Sequence, residues 1–274
     1  MVKSIKLSDG TTIPWLAFGT GTALYKQDCT DATSLALSLG LTHIDAAQMY
    51  ENEDGVGTAL SASGLPRSAL YITTKLNKIS EGETVESTLR SSLKKLKVDH
   101  VDLFLVHVPT QHTDLKKVWK DMAQLEEIIS LGLENPVVNQ IEYHPLVADK
   151  LAPLIAFSRE HGITTASYGG LTPILPSRIK SSELSTVREN IISTLTTIGS
   201  TRGSATPNQI LLKWLQSQGV IAVTTSSKES RLKEYLDAEN LAELSEEELD
   251  TIRKSIGGVH FRAFASFSHM DENN

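Results

Sequence analysis

Seven short β-prone runs alternate with stretches whose apolar positions repeat at helical spacing, and that alternation leaves few folds open. The runs lie near residues 15–19, 41–45, 70–74, 101–107, 137–142, 163–168 and 220–224. Several are continuously apolar, the pattern of strands buried on both faces of a parallel sheet. Between them, Leu89, Leu93 and Leu96 share one helical face in 83–97. Leu115, Val118, Trp119, Met122 and Leu125 share another in the next stretch. Helix stops and starts agree with this reading. Gly40, Gly64, Gly162 and Gly219 follow helical runs as terminating glycines. Thr206-Pro207-Asn208-Gln209 and Ser245 to Glu248 read as capping boxes. Repeated β/α units without a linker or low-complexity break predict one α/β domain over 1–274, and 274 residues is an ordinary length for a parallel β/α barrel.

Two ends stand outside the pattern. Val2 to Ile13 reads as a short hairpin around Asp9-Gly10, placed to cap a barrel floor. The tail after Gly258, with Phe261, Phe264 and Phe267, reads as a free terminus, with an aromatic fold over the pocket as the alternative.

Composition narrows the function classes. A net charge of −7 argues against nucleic acid or an anionic membrane as partner. Cys29 is the one cysteine, so no internal disulfide forms, and a reducing compartment fits. It sits at a helix start without a His or Cys partner and reads as inert. No stretch approaches 18 apolar residues, and no apolar leader opens the chain, which predicts a cytoplasmic protein. His107, His112 and Asp114 cluster in sequence without a known metal-ligand spacing, so no metal is expected. Trp15, Trp119 and Trp214 fit packing, and Trp15 is also a candidate pocket wall.

Four polar residues fall where strands end: Asp45, Tyr50, Lys75 and His107. In a parallel barrel, side chains at the carboxyl ends of several strands converge on one rim, where chemistry is done. The four types suit reduction of a carbonyl group. Tyrosine can give the proton that the developing oxyanion needs. An ammonium beside it lowers a phenol pKa of ~10, which gives Lys75 a role and Asp45 the task of holding Lys75 charged. His107 can orient the carbonyl oxygen.

The motifs around these residues resemble the aldo-keto reductases. They are Phe18-Gly-Thr-Gly-Thr22, Thr42-His-Ile-Asp-Ala-Ala-Gln-Met-Tyr-Glu-Asn52, Ile72-Thr-Thr-Lys75, Asp102-Leu-Phe-Leu-Val-His107 and Val138-Asn-Gln-Ile-Glu-Tyr-His-Pro145. Val223-Thr-Thr-Ser-Ser-Lys228 adds a likeness to fungal enzymes that reduce α-dicarbonyl, ketolactone or α-keto amide compounds. The resemblance implies a TIM (β/α)8-type barrel without a metal and an NADPH-dependent reductase of small aldehydes or activated ketones. It makes Tyr50 the proton donor, Lys75 and Asp45 its tuning pair, and His107 the substrate-orienting residue. It also implies that Gln140 hydrogen-bonds the nicotinamide carboxamide, Tyr168 stacks on the ring, and Gly169, Gly170 and Leu171 follow the pyrophosphate.

No strand–G-x-G-x-x-G–helix unit is present, since Leu24 fills the third glycine position after Gly19 and Gly21. Thr225, Ser226, Ser227, Lys228 and Arg231 open a helix with free N–H groups, hydroxyls and two cations. Such a site suits a 2′-phosphate, so NADPH is favoured over NADH. The bland alternative is a capped, solvated helix start.

One departure is plain. Between His107 and Gln140 the family has two strands, one ending in Gly-x-Ser-Asn, and this chain has room for neither that strand nor its helix. About 25 residues, roughly one β/α unit, are missing, which predicts seven barrel strands and unpaired edges. Two other readings therefore stay open: a non-catalytic NADP(H)-binding regulatory protein, and an inactive truncated product. Association through open edges is possible on this reading, against the family's frequent monomers.

Overall fold

The computed structural model describes residues 2–114, 118, 136–179 and 181–264. Its residues pack into two compact units, one drawn from 17–136 and 225–232, the other from 2–16, 137–224 and 233–274. The expected helix over 115–125 and its continuation through 132 lie outside the described residues, apart from Val118.

The first unit holds β3 (Leu16–Gly19, from Ala17 onward), β4 (His43–Asp45), β5 (Tyr71–Leu76) and β6 (Leu103–Val106). They pair in parallel in the order β3-β4-β5-β6. Phe18, Ile44, Ile72 and Leu76 are fully buried, as expected of apolar parallel strands. Helices α1 (Thr30–Ser38), α2 (Glu53–Ala62) and α3 (Val85–Leu96) cover them. Helix α3 starts with a capping box from Thr84 to Ser87 and ends at Lys97, which takes a left-handed conformation. Leu76, Val85 and Val118 form a buried cluster flanked by Ile79, Phe104 and Val106.

The second unit holds β7 (Val138–Glu142), β8 (Thr164–Tyr168) and β9 (Ile221–Thr224), also parallel, in the order β7-β8-β9. All seven expected strands are therefore present, and no further strand lies among the described residues between Val106 and Val138. The expected hairpin forms from β1 (Ser4–Lys6) and β2 (Thr12–Pro14). Its turn residue Ser8 lies against Gly162, just before β8 begins, so the hairpin sits at the amino end of that strand, opposite Tyr168. Trp15 is buried, accepts a hydrogen bond from Ala222 N at 2.6 Å through its carbonyl, and donates its indole N–H to Glu239. It is a packing residue.

Both expected capping boxes form, at Thr206–Gln209 and Ser245–Glu248. Gly40, Gly64, Gly162 and Gly219 all have positive φ. Among the described residues no helix is long and apolar enough to cross a membrane.

Helices α2 and α3 meet at Gly57, where an added Cβ would lie 2.1 Å from the Lys95 carbonyl oxygen. Backbone meets backbone there, so no rotamer change relieves the clash. Gly57→Ala is expected to destabilise the chain by about 1–3 kcal/mol or more in urea unfolding. A variant as stable as the wild type would show that the two helices are not in this close contact.

Candidate active site

Strand register brings three of the four expected residues to one face. Asp45 pairs with Thr73 across β4 and β5, so it points the same way as Thr73 and Lys75. Lys75 pairs with Leu105 across β5 and β6, and His107 lies two residues beyond Leu105. Its N–H continues the ladder to Leu76 O at 3.0 Å. Lys75 lies inside β5 rather than at its end, and His107 just past β6.

Tyr50 arrives by a different route. After Asp45 the chain runs extended to Ala47, then makes a 3-10 turn over Gln48–Tyr50, which ends at Glu51 in a left-handed conformation. Asn52 fixes the loop opposite, its amide donating to Thr20 O and Leu24 O at 2.8 Å each. Within that loop, Gly21 lies against the Tyr50 ring, where a Cβ would stand 2.7 Å from Tyr50 Cζ. A side chain at Gly21 would push the phenol away.

The four groups meet closely. Lys75 Nζ donates to Asp45 Oδ1 at 2.5 Å and to Ala46 O at 2.9 Å. The same nitrogen stands 5.1 Å from the Tyr50 ring centroid. Tyr50 and His107 pack edge to face, centroids 5.3 Å apart.

Burial decides their protonation. It lowers the pKa of Lys75, but Asp45 and Tyr50 reverse the shift, and the ammonium is retained above its ordinary range. For Tyr50, burial raises the pKa and outweighs the lowering by Lys75. The Lys75 contribution is legible in the motif spacing, whereas the larger cost of burying a phenolate is not. His107 is lowered to about 4, first by burial and then by Lys75. At neutral pH the site therefore holds a neutral phenol, a charged ammonium and a neutral imidazole. Among the described residues His107 Nδ1 is buried without a hydrogen-bond partner.

The other expected residues fall on separate segments. In the second unit, Gln140 pairs with Ala166 and Glu142 with Tyr168, so Gln140, Glu142 and Tyr168 share one face. Gly169 has φ +67°, and a Cβ on Gly170 would lie 2.5 Å from Leu215 Cδ1. Leu171 is buried beyond them. These glycines let the chain turn tightly after Tyr168. In the first unit, Thr225 Oγ1 is buried and has no hydrogen-bond partner among the described residues. Ser226 Oγ accepts from Lys228 N at 3.0 Å. Ser227, Lys228 and Arg231 are exposed at the start of the helix Glu229–Asp237. An orphaned hydroxyl, helix-start N–H groups and two cations are the donors a phosphate takes. The segment thus fits the 2′-phosphate end of a dinucleotide.

Two buried acids escaped the sequence reading. Glu142 is fully buried, and its carboxylate accepts from Ala263 N at 2.7 Å and Phe264 N at 3.3 Å. It also pairs with Arg262 at 3.4 Å and His144 at 3.2 Å. Burial alone would raise its pKa, but these partners hold it below the ordinary value. The tail is therefore pinned through Phe264, which stands edge-on to Tyr168 at 5.0 Å. His144 is buried and belongs to this cluster. Glu53, the second acid, lies behind Lys75. An acid between Ile141 and Tyr143 is the signal that marks Glu142, whereas Glu53 sits among Glu51, Asn52 and Asp54 and carries no such signal. Cys29 is buried with its thiol pKa raised by burial, so a favourable helix start does not activate it. The described residues hold no cluster of three or more His, Cys, Asp or Glu side chains placed for a metal ion.

The depressed His107 pKa links to stability. Between pH 6.5 and about 4 the unfolded chain binds a proton that the folded chain refuses, so stability falls as pH falls through this window. Going from pH 7 to 4 is expected to cost the wild type about 2–3 kcal/mol more than His107→Gln, measured by urea unfolding at both pH values. Equal pH dependence would mean that His107 titrates normally.

Comparison with known proteins places the chain in a family. The aldo/keto reductase family model matches residues 15–135 and 121–256. A Schizosaccharomyces pombe NAD/NADP-dependent indole-3-acetaldehyde reductase is 33% identical, over 96% of this chain and 98% of its own length. A Saccharomyces cerevisiae NADPH-dependent alpha-keto amide reductase is 34% identical, over 90% of this chain and 88% of its own. The crystal structure of a Bombyx mori aldo-keto reductase in complex with NADP superposes with a TM-score of 0.79 at 26% identity, covering 98% of this chain and 96% of that one. The fold class is the TIM-type β/α barrel with an amino-terminal hairpin, built here with seven parallel strands among the described residues. The chain belongs to the aldo/keto reductase family.

Proposed function

We propose that the chain is an NADPH-dependent reductase of aldehydes or activated ketones, with Tyr50 as proton donor. The observation that carries this reading is the Lys75 ammonium, buried between the Asp45 carboxylate and the Tyr50 ring. A neutral phenol beside a fixed positive charge is ready to give up its proton once negative charge develops on a nearby oxygen. The charge on Lys75 does not need to move. Asp45 holds it in place, and its attraction for the forming phenolate lowers the barrier. His107, neutral above pH of about 4, can donate an N–H to the carbonyl oxygen without competing for the Tyr50 proton.

When bound, NADPH supplies the hydride. On this reading Gln140 holds the carboxamide, Tyr168 stacks on the nicotinamide ring, and Gly169, Gly170 and Leu171 follow the pyrophosphate. Thr225, Ser226, Ser227, Lys228 and Arg231 take the 2′-phosphate. The relatives' names support the cofactor and a small carbonyl substrate. The proposal requires the two units to act as one domain over 1–274, as the β/α pattern predicts.

The Tyr50→Phe variant tests the proposal. Turnover of a small α-dicarbonyl or aldehyde panel is expected to fall by about 10²–10⁴-fold while NADPH affinity, followed by fluorescence titration, stays unchanged. Unchanged turnover would exclude Tyr50 as the donor. A wild type that binds NADPH stoichiometrically and turns over nothing in the panel would favour the binding-only reading.

A further inference from the structure

Glu53 is the first residue of α2, three residues past Tyr50, and it is almost wholly buried, with 2% of its surface exposed. Among the described residues no cation pairs with it within salt-bridge distance. Instead, its two carboxylate oxygens take hydroxyl donors from two other elements. Thr74 Oγ1 donates to Oε1 at 2.6 Å, and Ser92 Oγ donates to Oε2 at 3.2 Å. Ser92 in turn accepts from Gln48 Nε2 at 3.1 Å, and Gln48 Oε1 accepts from Asn77 N at 2.9 Å.

Gln48 belongs to the same 3-10 turn as Tyr50, and Thr74 precedes Lys75 on β5. Because strand side chains alternate, Thr74 points to the helix side while Lys75 points to the catalytic face. A closed set of hydrogen bonds therefore runs from the turn that carries Tyr50, through Ser92 of α3 and Glu53, to the strand that carries Lys75. It returns at Asn77, the residue just past that strand. Both flanks of Tyr50 are tied to β5. Burial raises the Glu53 pKa, and burying a carboxyl at such cost is unnecessary for packing alone, since an apolar side chain would fill the same space.

We propose that Glu53 is a positioning residue for the reaction: with Thr74, Ser92 and Gln48 it braces the Tyr50 turn against the Lys75 strand and so sets the phenol-to-ammonium geometry. Glu53 touches neither substrate nor cofactor. The inference rests on the reading of Tyr50 as donor for its kinetic consequences. The geometric claim, that the brace fixes Tyr50 relative to Lys75, does not.

The test combines kinetics with a direct readout of Tyr50. Glu53→Ala is expected to lower kcat by about tenfold or more with NADPH affinity unchanged, a 1 Å misplacement being enough for up to ~10²-fold. Glu53→Gln keeps an acceptor for Thr74 and is expected to recover most of that loss. In a Tyr50→Phe background, Glu53→Ala is expected to add little, because Glu53 acts through Tyr50. Ultraviolet titration of the phenolate, with Tyr50→Phe subtracted to remove the other five tyrosines, is expected to show the Tyr50 transition shifted in Glu53→Ala and not in Glu53→Gln.

A full multiplicative loss in the double variant, equal losses in Glu53→Gln and Glu53→Ala, or an unmoved Tyr50 transition would each overturn the proposal. If Glu53→Ala does not fold, Thr74→Val and Ser92→Ala each remove one strut and are expected to move the same transition in the same direction. If the wild type proves inactive, the donor reading fails, and the titration alone still decides the brace.

Discussion

The buried Lys75–Asp45 ion pair is the constraint around which the first unit is organised. Both side chains are nearly inaccessible, at 2% and 3% exposure, and beside their 2.5 Å contact the Lys75 ammonium also donates to the Ala46 carbonyl. Taking two charges out of water costs several kcal/mol per ion, and their attraction offsets that only when the geometry is good. Here parallel register supplies the geometry. Asp45 and Lys75 sit on adjacent strands, on one face, offset by two residues, so the lysine stem can reach back to the carboxylate. A slip of one residue in either strand would send one charge to the helix side and leave the other buried and unpaired. The pair thus binds the register of β4 and β5 to the electrostatics of the site.

The same burial acts on three neighbouring groups with different results. It disfavours phenolate at Tyr50 and imidazolium at His107, and both remain neutral. It also disfavours the ammonium, but Asp45 and Tyr50 reverse that effect for Lys75. The outcome is one buried ion pair whose ammonium stands beside neutral, polarisable groups. A site of this kind stabilises negative charge that appears during a reaction without carrying that charge beforehand. Gly21 contributes by absence, since its missing Cβ leaves room for the phenol against the loop.

Much of this arrangement can be read in the linear chain because it depends on strong local signals. Short β-prone runs, several of them continuously apolar, located all seven parallel strands. Terminal glycines and capping boxes located helix ends, and Asp45, Lys75 and His107 stood out as polar residues closing apolar runs. What escaped detection depends on contacts distant in sequence. Glu53 lies 21 residues from Thr74 and 39 from Ser92. Its purpose is invisible until α2, α3 and β5 are assembled. The direction of the Tyr50 pKa shift was equally hidden, because a charge neighbour can be inferred from motif spacing but the depth of burial cannot. The departure between His107 and Gln140 remains a matter of length. Among the described residues β6 pairs only with β5, as expected of a strand whose successor is missing from the sequence.

Glu142 shows a second way in which a site residue evades sequence reasoning. It holds the tail largely through the backbone N–H groups of Ala263 and Phe264, which every non-proline residue possesses. No side-chain pattern in 259–264 could announce that contact. The energetic logic is nevertheless firm. A fully buried carboxylate requires several donors, and two backbone amides, Arg262 and His144 supply them. Once the carboxylate is committed to the sheet face by the β7 register, the tail must come to it. Phe264 is then carried onto Tyr168 and over Gly169, with the Arg178 guanidinium 4.5 Å from its ring. The segment 259–264, which composition alone would leave free, is in this way drawn to the same strand face as Gln140 and Tyr168 by Glu142.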